Sequence, residues 1–257
     1  MFKYAIVRRP SHSLIDGISQ TPEMGKPDYD LALQQHDRYV EILRECGLEV
    51  TVLEANEDYP DSVFIEDNAL CTPRGVAILS RPGAESRRGE ASLLDLREAL
   101  ARYYDDIEQV VEPGTTDPGD IMMVGDHYYI GLSGRTNQAA ADQITAILEK
   151  HGMTAETVPV TGILHLKDDV VYLDNNNLIV AKAYENHPAF ANFNKLVVDD
   201  DEYYAVNSLW INGKVIVPEG FPKTEQKIRD CGYEVILINT SEFEKITGSL
   251  TCMSLRF

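Results

Sequence analysis

The sequence predicts an α/β fold in which five ββαβ units close into a ring, and two observations lead to this prediction. In RECGLEVTVL (44–53) and RDCGYEVILI (229–238) a helix ends at Cys-Gly and an alternating apolar strand follows. Glycine directly after a helix supplies a left-handed cap, and period-two alternation marks a strand. EKHGMTAETVPV (149–160) repeats this form without the cysteine. The agreement indicates internal repetition.

The first unit lacks one strand of its opening hairpin. FKYAIVRRP (2–10) supplies one strand, DYDLALQQHDRYVEILREC (28–46) a helix and LEVTVLEA (48–55) the last strand. The vacancy is filled at the other end of the sequence, because SLTCMSLRF (249–257) reads as a strand with no helix after it.

The second and third units are complete. Residues 62–104 read as strand, turn, strand, loop and helix, and Leu93, Leu96 and Leu100 form the apolar stripe of the helix. Residues 119–152 repeat this order with a turn at Gly125-Asp126. The helix of this unit has four apolar residues on one face, which are Ala140, Ile144, Ile147 and Leu148.

The fourth unit is a weaker copy, whereas the fifth is clear. Residues 165–198 carry the turn Asn175-Asn176-Asn177 between two apolar runs. Residues 208–238 contain Asn212-Gly213 between alternating apolar runs, the strongest short-range signal for a hairpin. We therefore expect one domain, residues 1–257, whose units span about 1–55 plus 246–257, 56–112, 113–161, 162–199 and 200–245.

Composition limits the classes of partner. The formal net charge, 23 − 42 = −19, argues against nucleic acid and against anionic membrane surfaces as partners. The start of the chain lacks the apolar core of a signal peptide, and no run reaches the length of a membrane span. The four cysteines show no metal-binding spacing, so we expect a cytoplasmic location with reduced thiols and no structural zinc.

Polar clusters interrupt the apolar pattern where three of the units begin. They lie in PDSVFIED (60–67), TTDPGD (115–120) and GILHLK (162–167). Ring closure would bring their side chains together with Cys252, the candidates being Asp61, Glu66, Asp67, Asp117, Asp120 and His165.

Each candidate also has a purely structural interpretation. A lone cysteine is often a small buried hydrophobe, a histidine between leucines is often a satisfied core residue, and aspartate before Pro-Gly commonly stabilises a turn. The conjunction of a thiol, an imidazole and carboxylates from different units favours nucleophilic catalysis instead.

Two arginines occupy matching loops between hairpin and helix in successive units. Arg87 lies in RPGAESRRGE and Arg135 in SGRTN. Both are solvated loop residues in the structural interpretation, but their fork geometry also suits a carboxylate. Cationic and anionic groups in one cleft would bind a small zwitterionic or cationic amino acid.

A set of longer stretches runs from one end of the chain to the other. They are GKPDY, PDSVF-x-ED, SRPGAESRRGE, PGDIMMVGDH-YYIG-x-S-x-RTN, LHLK and CMSLRF. On these stretches the chain resembles the dimethylarginine dimethylaminohydrolases of the guanidino-group-modifying (pentein) superfamily, whose fold is a five-bladed α/β propeller. The chain length fits this family better than the larger arginine deiminases.

The resemblance implies a role for each matching residue. Cys252 is the nucleophile, His165 the general acid and base, and Asp117 stands where members of the family use Glu or Asp to hold the guanidinium. Ile18 lies in the predicted lid, and Ile246 offers its backbone carbonyl. The complete set of substrate-binding positions is Ile18, Asp61, Glu66, Asp67, Arg87, Arg135 and Ile246. No cofactor or metal is implied.

The implied reaction is hydrolysis of asymmetric dimethylarginine or monomethylarginine to citrulline and dimethylamine or methylamine, through a thiouronium-type adduct on Cys252. One alternative is a deiminase that acts on arginine or another guanidino or ureido amino acid with the same Cys-His pair. A remote alternative is a non-enzymatic propeller, as in ribosome anti-association factors. An outward face of the ring could also pair two copies, so a homodimer stays open.

Overall fold

Five three-stranded sheets make up the fold in the computed structural model, which describes residues 1–257. In each sheet the middle strand runs antiparallel to the strand on one side and parallel to the strand on the other. The first sheet contains β15 (Leu255–Arg256), β1 (Tyr4–Arg8) and β2 (Glu49–Leu53), and the second contains β3 (Ala69–Cys71), β4 (Val76–Leu79) and β5 (Asp106–Gln109). The others contain β6 (Ile121–Val124), β7 (His127–Leu132) and β8 (Thr154–Pro159); β9 (Val170–Tyr172), β10 (Asn177–Val180) and β11 (Asn194–Val197); and β12 (Leu209–Ile211), β13 (Lys214–Pro218) and β14 (Glu234–Ile238).

Helices connect the parallel strands in four of the five sheets. These crossovers are α1 (Tyr29–Glu45), α2 (Leu94–Leu100), α3 (Gln138–Lys150) and α5 (Pro222–Asp230), and two short helices, α4 (Leu166–Asp169) and α6 (Ser241–Glu244), lie in connections between units. In the fourth unit two one-turn 3₁₀ helices, Lys182–Tyr184 and Pro188–Phe190, replace the crossover helix. Pro188 explains this difference, because proline lacks the N–H that a continuing helix needs.

Five hydrophobic cores show that the sheets form a closed ring. Each core contains side chains from two neighbouring sheets, and together the cores cover every neighbouring pair. The core between the fifth and first sheets, for example, packs Leu209 and Ile216 with Ala5 and Val7. The five-bladed propeller predicted from the sequence is thereby confirmed.

The C-terminal strand closes the ring as predicted, but it is shorter than expected. Ala5 pairs with Arg256 and Ile6 with Leu255 in antiparallel register. Cys252 precedes this strand and lies in a one-turn 3₁₀ helix, Thr251–Met253. The Arg256 guanidinium donates to the carbonyl oxygens of Thr251, at 2.8 Å, and Ser254, at 2.6 Å. These bonds hold the backbone in a turn, so the thiol stands at the end of the strand and not within it.

The hairpin turns follow the residues that predicted them. Asn212 and Gly213 have φ values of 51° and 95°, and Asn175 and Asn176 have 49° and 63°. Positive φ at these positions suits Asn and Gly, and it matches the twist of the flanking strands. None of the helices combines the length and the apolar character that a membrane crossing requires.

Candidate active site

A small cavity lies where the segments that lead into β3, β6, β9 and β15 converge. Its volume is about 30 Å³, which is too little for an amino acid without movement of the wall. Nine of the eleven candidate residues named from the sequence line it, and Glu66 and Asp120 are the exceptions. The full lining is Ile18, Asp61, Phe64, Asp67, Arg87, Asp117, Arg135, Leu164, His165, Ile246, Thr247 and Cys252.

Four of these residues come from equivalent places in four units. Asp67 lies in the 3₁₀ turn before β3, Asp117 directly before the turn that leads to β6, and His165 at the N-terminus of α4 before β9. Cys252 lies in the turn before β15. Each residue is buried, with an exposed fraction of 6% or less. The fold thus brings a thiol, an imidazole and two carboxylates from four sheets to one point.

His165 is held by contacts on both its ring and its backbone. Its Nε2 lies 3.1 Å from Oδ2 of Asp117, and its backbone N–H donates to Asp168. Asp120 accepts the next N–H, that of Leu166, at 3.0 Å. A Cβ atom on Gly119 would lie only 2.6 Å from Nδ1 of His165, so glycine is required for this close approach. Sequence reasoning assigned no such role to Asp168 or Gly119, because only the fold places them around the ring.

The surrounding carboxylates keep the imidazole protonated. Burial alone would lower the pKa of His165, but the charges of Asp67, Asp117 and Asp120 raise it to about 10. Burial alone would likewise raise the pKa of Asp67, yet the charges of His165 and Arg87 hold it below its ordinary value. At neutral pH the imidazole of His165 is therefore protonated and can donate a proton, and the carboxylate of Asp67 beside it is ionised.

The surroundings of Cys252, by contrast, favour the neutral form of its thiol. Burial, together with the negative charges of Glu66, Asp67 and Asp168, raises the pKa of Cys252 far above that of a free cysteine. The thiol is consequently neutral in the free protein at physiological pH. A positive charge placed next to the sulfur would offset both effects and favour the thiolate.

We expect iodoacetamide to alkylate Cys252 slowly near neutral pH and to react faster only well above pH ~8.5, the pKa of an ordinary thiol. The reason is the sign of the shift, since a raised pKa moves thiolate formation to higher pH. Peptide mass spectrometry over a pH series would measure it, with exposed Cys231 as reference in the same sample. A Cys252 rate that already reaches its plateau near neutral pH would contradict this electrostatic description.

The two predicted arginines, Arg87 and Arg135, differ in how many of their guanidinium N–H donors have a partner. Arg87 is buried and donates to Asp67 at 2.7 Å, to both oxygens of Glu90 and to the carbonyl oxygen of Phe64. Arg135 is partly exposed, and its only ion pair is a 3.6 Å contact with Asp117. Arg87 therefore holds the carboxylates of the site, whereas the fork of Arg135 is open towards the cavity.

Hydrogen bonds tie the predicted lid segment to the cavity wall. The N–H of Ile18 donates to Asp61 at 2.9 Å, the Ser19 hydroxyl to the carbonyl oxygen of Lys245 at 2.7 Å, and the N–H of Gln20 to the Thr247 hydroxyl at 2.8 Å. These bonds join residues 18–20 to Asp61 and to the two chain neighbours of Ile246 in the cavity wall.

Glu66 faces away from this cavity. Its Oε1 lies 2.6 Å from Nζ of Lys167 and 2.7 Å from the guanidinium of Arg256. Its predicted contact with substrate stays a prediction. Three lining residues had not been predicted, namely Phe64, Leu164 and Thr247. Phe64 and Leu164 adjoin predicted polar clusters, and Thr247 has a φ of 57° directly before Gly248.

Three of these side chains lie close enough together to coordinate a metal ion. Donor atoms of Asp67, Asp117 and His165 all lie within 4.8 Å of one another. Binding a metal requires the imidazole to lose its proton first. The neighbouring carboxylates stabilise the protonated form of His165. The arrangement therefore favours proton transfer by His165 over metal binding.

Comparisons with known proteins cover most or all of the chain. The model of a family described as "N,N dimethylarginine dimethylhydrolase, eukaryotic" matches residues 20–218. The chain is 48% identical to N(G),N(G)-dimethylarginine dimethylaminohydrolase of Pseudomonas aeruginosa, with 100% of both chains covered. It is 39% identical to the protein of the same name from Streptomyces coelicolor, covering 99% of this chain and 96% of the other.

Solved structures extend the agreement to the fold. A cysteine-to-serine variant of the P. aeruginosa enzyme, complexed with citrulline, aligns over 100% of both chains with a TM-score of 0.97 at 48% identity. The N-terminal domain of ArgZ, an arginine dihydrolase, aligns with a TM-score of 0.87 at 18% identity over 99% of this chain and 97% of its own, which is a likeness of fold. The matched family model, the identity over the full length and the shared architecture lead to one conclusion: the chain belongs to the dimethylarginine dimethylaminohydrolase family.

Proposed function

We propose that this protein hydrolyses Nω-methylated arginines to citrulline and dimethylamine or methylamine. The observation that carries the proposal is the meeting of Cys252, His165 and the carboxylates of Asp67 and Asp117 in one cavity. The names of the two most similar relatives reported above support this choice of substrate.

Charge complementarity supports the proposed mode of binding. The substrate guanidinium would lie between Sγ of Cys252 and the carboxylates of Asp67 and Asp117, with its carbon facing the sulfur. Arg135, whose fork is open, suits the α-carboxylate. Asp61 is buried at the same wall, bonded to the lid residue Ile18, and it suits the α-ammonium when the lid is released.

The chemistry starts with the thiol. The substrate's positive charge favours loss of the Cys252 proton to solvent, and the thiolate attacks the guanidinium carbon to form a tetrahedral adduct. The imidazolium of His165 gives its proton to the departing methylated amine. The C–N bond breaks, and a thiouronium-type adduct remains on the sulfur.

The second half of the reaction uses the same two groups. His165, now neutral, removes a proton from a water molecule as its oxygen attacks the thiouronium carbon. The new tetrahedral adduct collapses and the C–S bond breaks. The sulfur leaves and takes up the hydroxyl proton of the adduct, so that citrulline forms and the thiol is restored. The two proton transfers by His165 balance, so the imidazolium is restored at the end of the cycle.

A panel of substrates would test the proposal against its alternatives. Asymmetric dimethylarginine, monomethylarginine, arginine and agmatine are incubated with the protein, and citrulline and amines are quantified. We expect dimethylamine and methylamine from the first two, and only background product from agmatine, which lacks the carboxylate for Arg135. Ammonia from arginine as the main product would support the deiminase instead, and no product at all would support a binding module.

The proposal also concerns the cellular location of the protein and its partners. A thiol nucleophile works only when reduced, which favours the cytoplasm. The partner is a single small amino acid. If the protein forms a homodimer, exposed Val52 on β2 and Leu237 on β14 are apolar residues that such a contact could cover.

A further inference from the structure

A second, larger cavity lies on the same axis as the first. Its volume is about 500 Å³, and all five sheets contribute to its wall through the strands nearest the axis. Representative lining residues are Leu70 of β3, Met123 of β6, Val171 of β9, Trp210 of β12 and Leu255 of β15. A mostly apolar cavity of this size with a few polar groups is typical of a small-molecule site.

A thin partition separates this cavity, which we call the axial cavity, from the catalytic one. The two share no lining residue, yet four segments contribute to both. Residues close together in each segment face opposite ways, and the pairs are Glu66 with Asp67, Pro118 with Asp117, Lys167 with His165, and Thr251 with Cys252. The axial cavity is therefore distinct from the substrate site and lies directly behind it.

The floor of the axial cavity carries an excess of positive charge. Lys167 and Arg256 both pair with the same oxygen, Oε1 of Glu66, so two cations share one carboxylate. Arg256 also bonds to backbone oxygens, whereas Glu66 is the one partner of the Lys167 ammonium. An ammonium has three donors, so Lys167 keeps donors available. Buried charge of one sign favours a ligand of the other.

The carboxylates near the opening are already engaged. Asp126 pairs with Arg74, and Asp174 accepts the backbone N–H of Asn175. The positive floor is thus the electrostatic feature that a ligand would meet. Between the opening and the floor the wall is largely hydrocarbon.

We propose that the axial cavity binds a small apolar monocarboxylate. Its carboxylate lies against the Lys167 ammonium at the floor of the cavity. Its hydrocarbon part packs along Leu70 and Val171 towards the opening. This site is separate from the substrate cavity and does not depend on the proposed hydrolysis.

Trp210 provides a direct test, because it is the only tryptophan in the chain. Octanoate is titrated into the protein while tryptophan emission is followed, with 1-octanol and octylammonium as probes of equal chain length. We expect a saturable change with octanoate and binding of the other two weaker by about tenfold or more, as for loss of a charged hydrogen bond. Equal affinity for octylammonium, or no saturation at millimolar octanoate, would overturn the proposal.

Two variants and one ligand locate the binding. Val171→Phe fills the cavity, and Val171 belongs to none of the five cores, so this change is expected to abolish binding and leave the fold intact. Lys167→Met is expected to weaken octanoate about tenfold, whereas Lys150→Met, at an exposed lysine, serves as the matched control and leaves the affinity unchanged. Saturating citrulline is expected to leave binding unchanged.

Each of these arms can contradict the proposal without reference to turnover. Unchanged octanoate affinity in Val171→Phe or in Lys167→Met would exclude the axial cavity. Displacement of octanoate by citrulline would place the probe in the substrate cavity. Thermal unfolding of each variant checks the fold, and if Val171→Phe fails to fold, Lys167→Met decides alone.

Discussion

Cys252→Ser is expected to abolish citrulline release, with a loss of about 10⁴-fold or more, as for removal of a nucleophile that acts in concert with its partners. Serine has nearly the same shape, and Cys252 is buried, so the fold is expected to persist. The hydroxyl is a far weaker acid than the thiol. The positive charge of the substrate can therefore favour a thiolate but cannot produce an alkoxide at neutral pH.

The measurement is citrulline formation from asymmetric dimethylarginine, together with the melting temperature. Cys231→Ser is the matched control, because it makes the same substitution at an exposed cysteine. We expect the control to keep full activity. Turnover in Cys252→Ser above the background of substrate alone would remove Cys252 from the role of nucleophile.

His165→Gly is expected to lower turnover of dimethylarginine by about 10²–10⁴-fold, the range for loss of a positioned acid and base. The departing amine then has no proton donor, and the thiouronium adduct has no base to activate water. A substrate with a better leaving group separates these two roles. S-methyl-L-thiocitrulline releases a thiolate, which departs without being protonated.

We therefore expect His165→Gly to accumulate a covalent adduct on Cys252 when it is treated with S-methyl-L-thiocitrulline, detected as a mass increase of the intact protein. His151→Gly is the control, because His151 follows α3, where glycine is well tolerated. Rapid turnover of the adduct in His165→Gly would show that another group activates water.

Much of the fold could be predicted because its local signals agree with one another. The turn at Asn212-Gly213, the Cys-Gly helix ends and the alternating strands each repeat, so the number of sheets followed from their count. The fourth crossover could not be predicted in detail, because Pro188 prevents a regular helix while apolar residues around it still pack between sheets. Likewise, the turn at Cys252 depends on bonds from Arg256 that only the folded chain makes.

The polar clusters of the site could be predicted from the sequence, but the direction in which each side chain faces could not. Glu66 and Asp67 are neighbours in one motif, yet they face different cavities. Sequence spacing in a short 3₁₀ turn does not decide which of the two faces the thiol. The same limit applies to Arg87 and Arg135, which occupy matching loops but differ in burial, because only Arg87 meets Glu90.

Closure of the ring has a consequence for the kinetics of folding. The pairing of Ala5 with Arg256 joins residues from nearly opposite ends of the sequence, and it holds the strand that follows the turn of Cys252. Contacts of such long sequence separation carry a large entropic cost of loop closure and form late. During refolding, secondary structure and most burial should return before catalysis does. The rate at which turnover reappears would then report the final sealing step, which spectroscopic probes of the earlier sheets would miss.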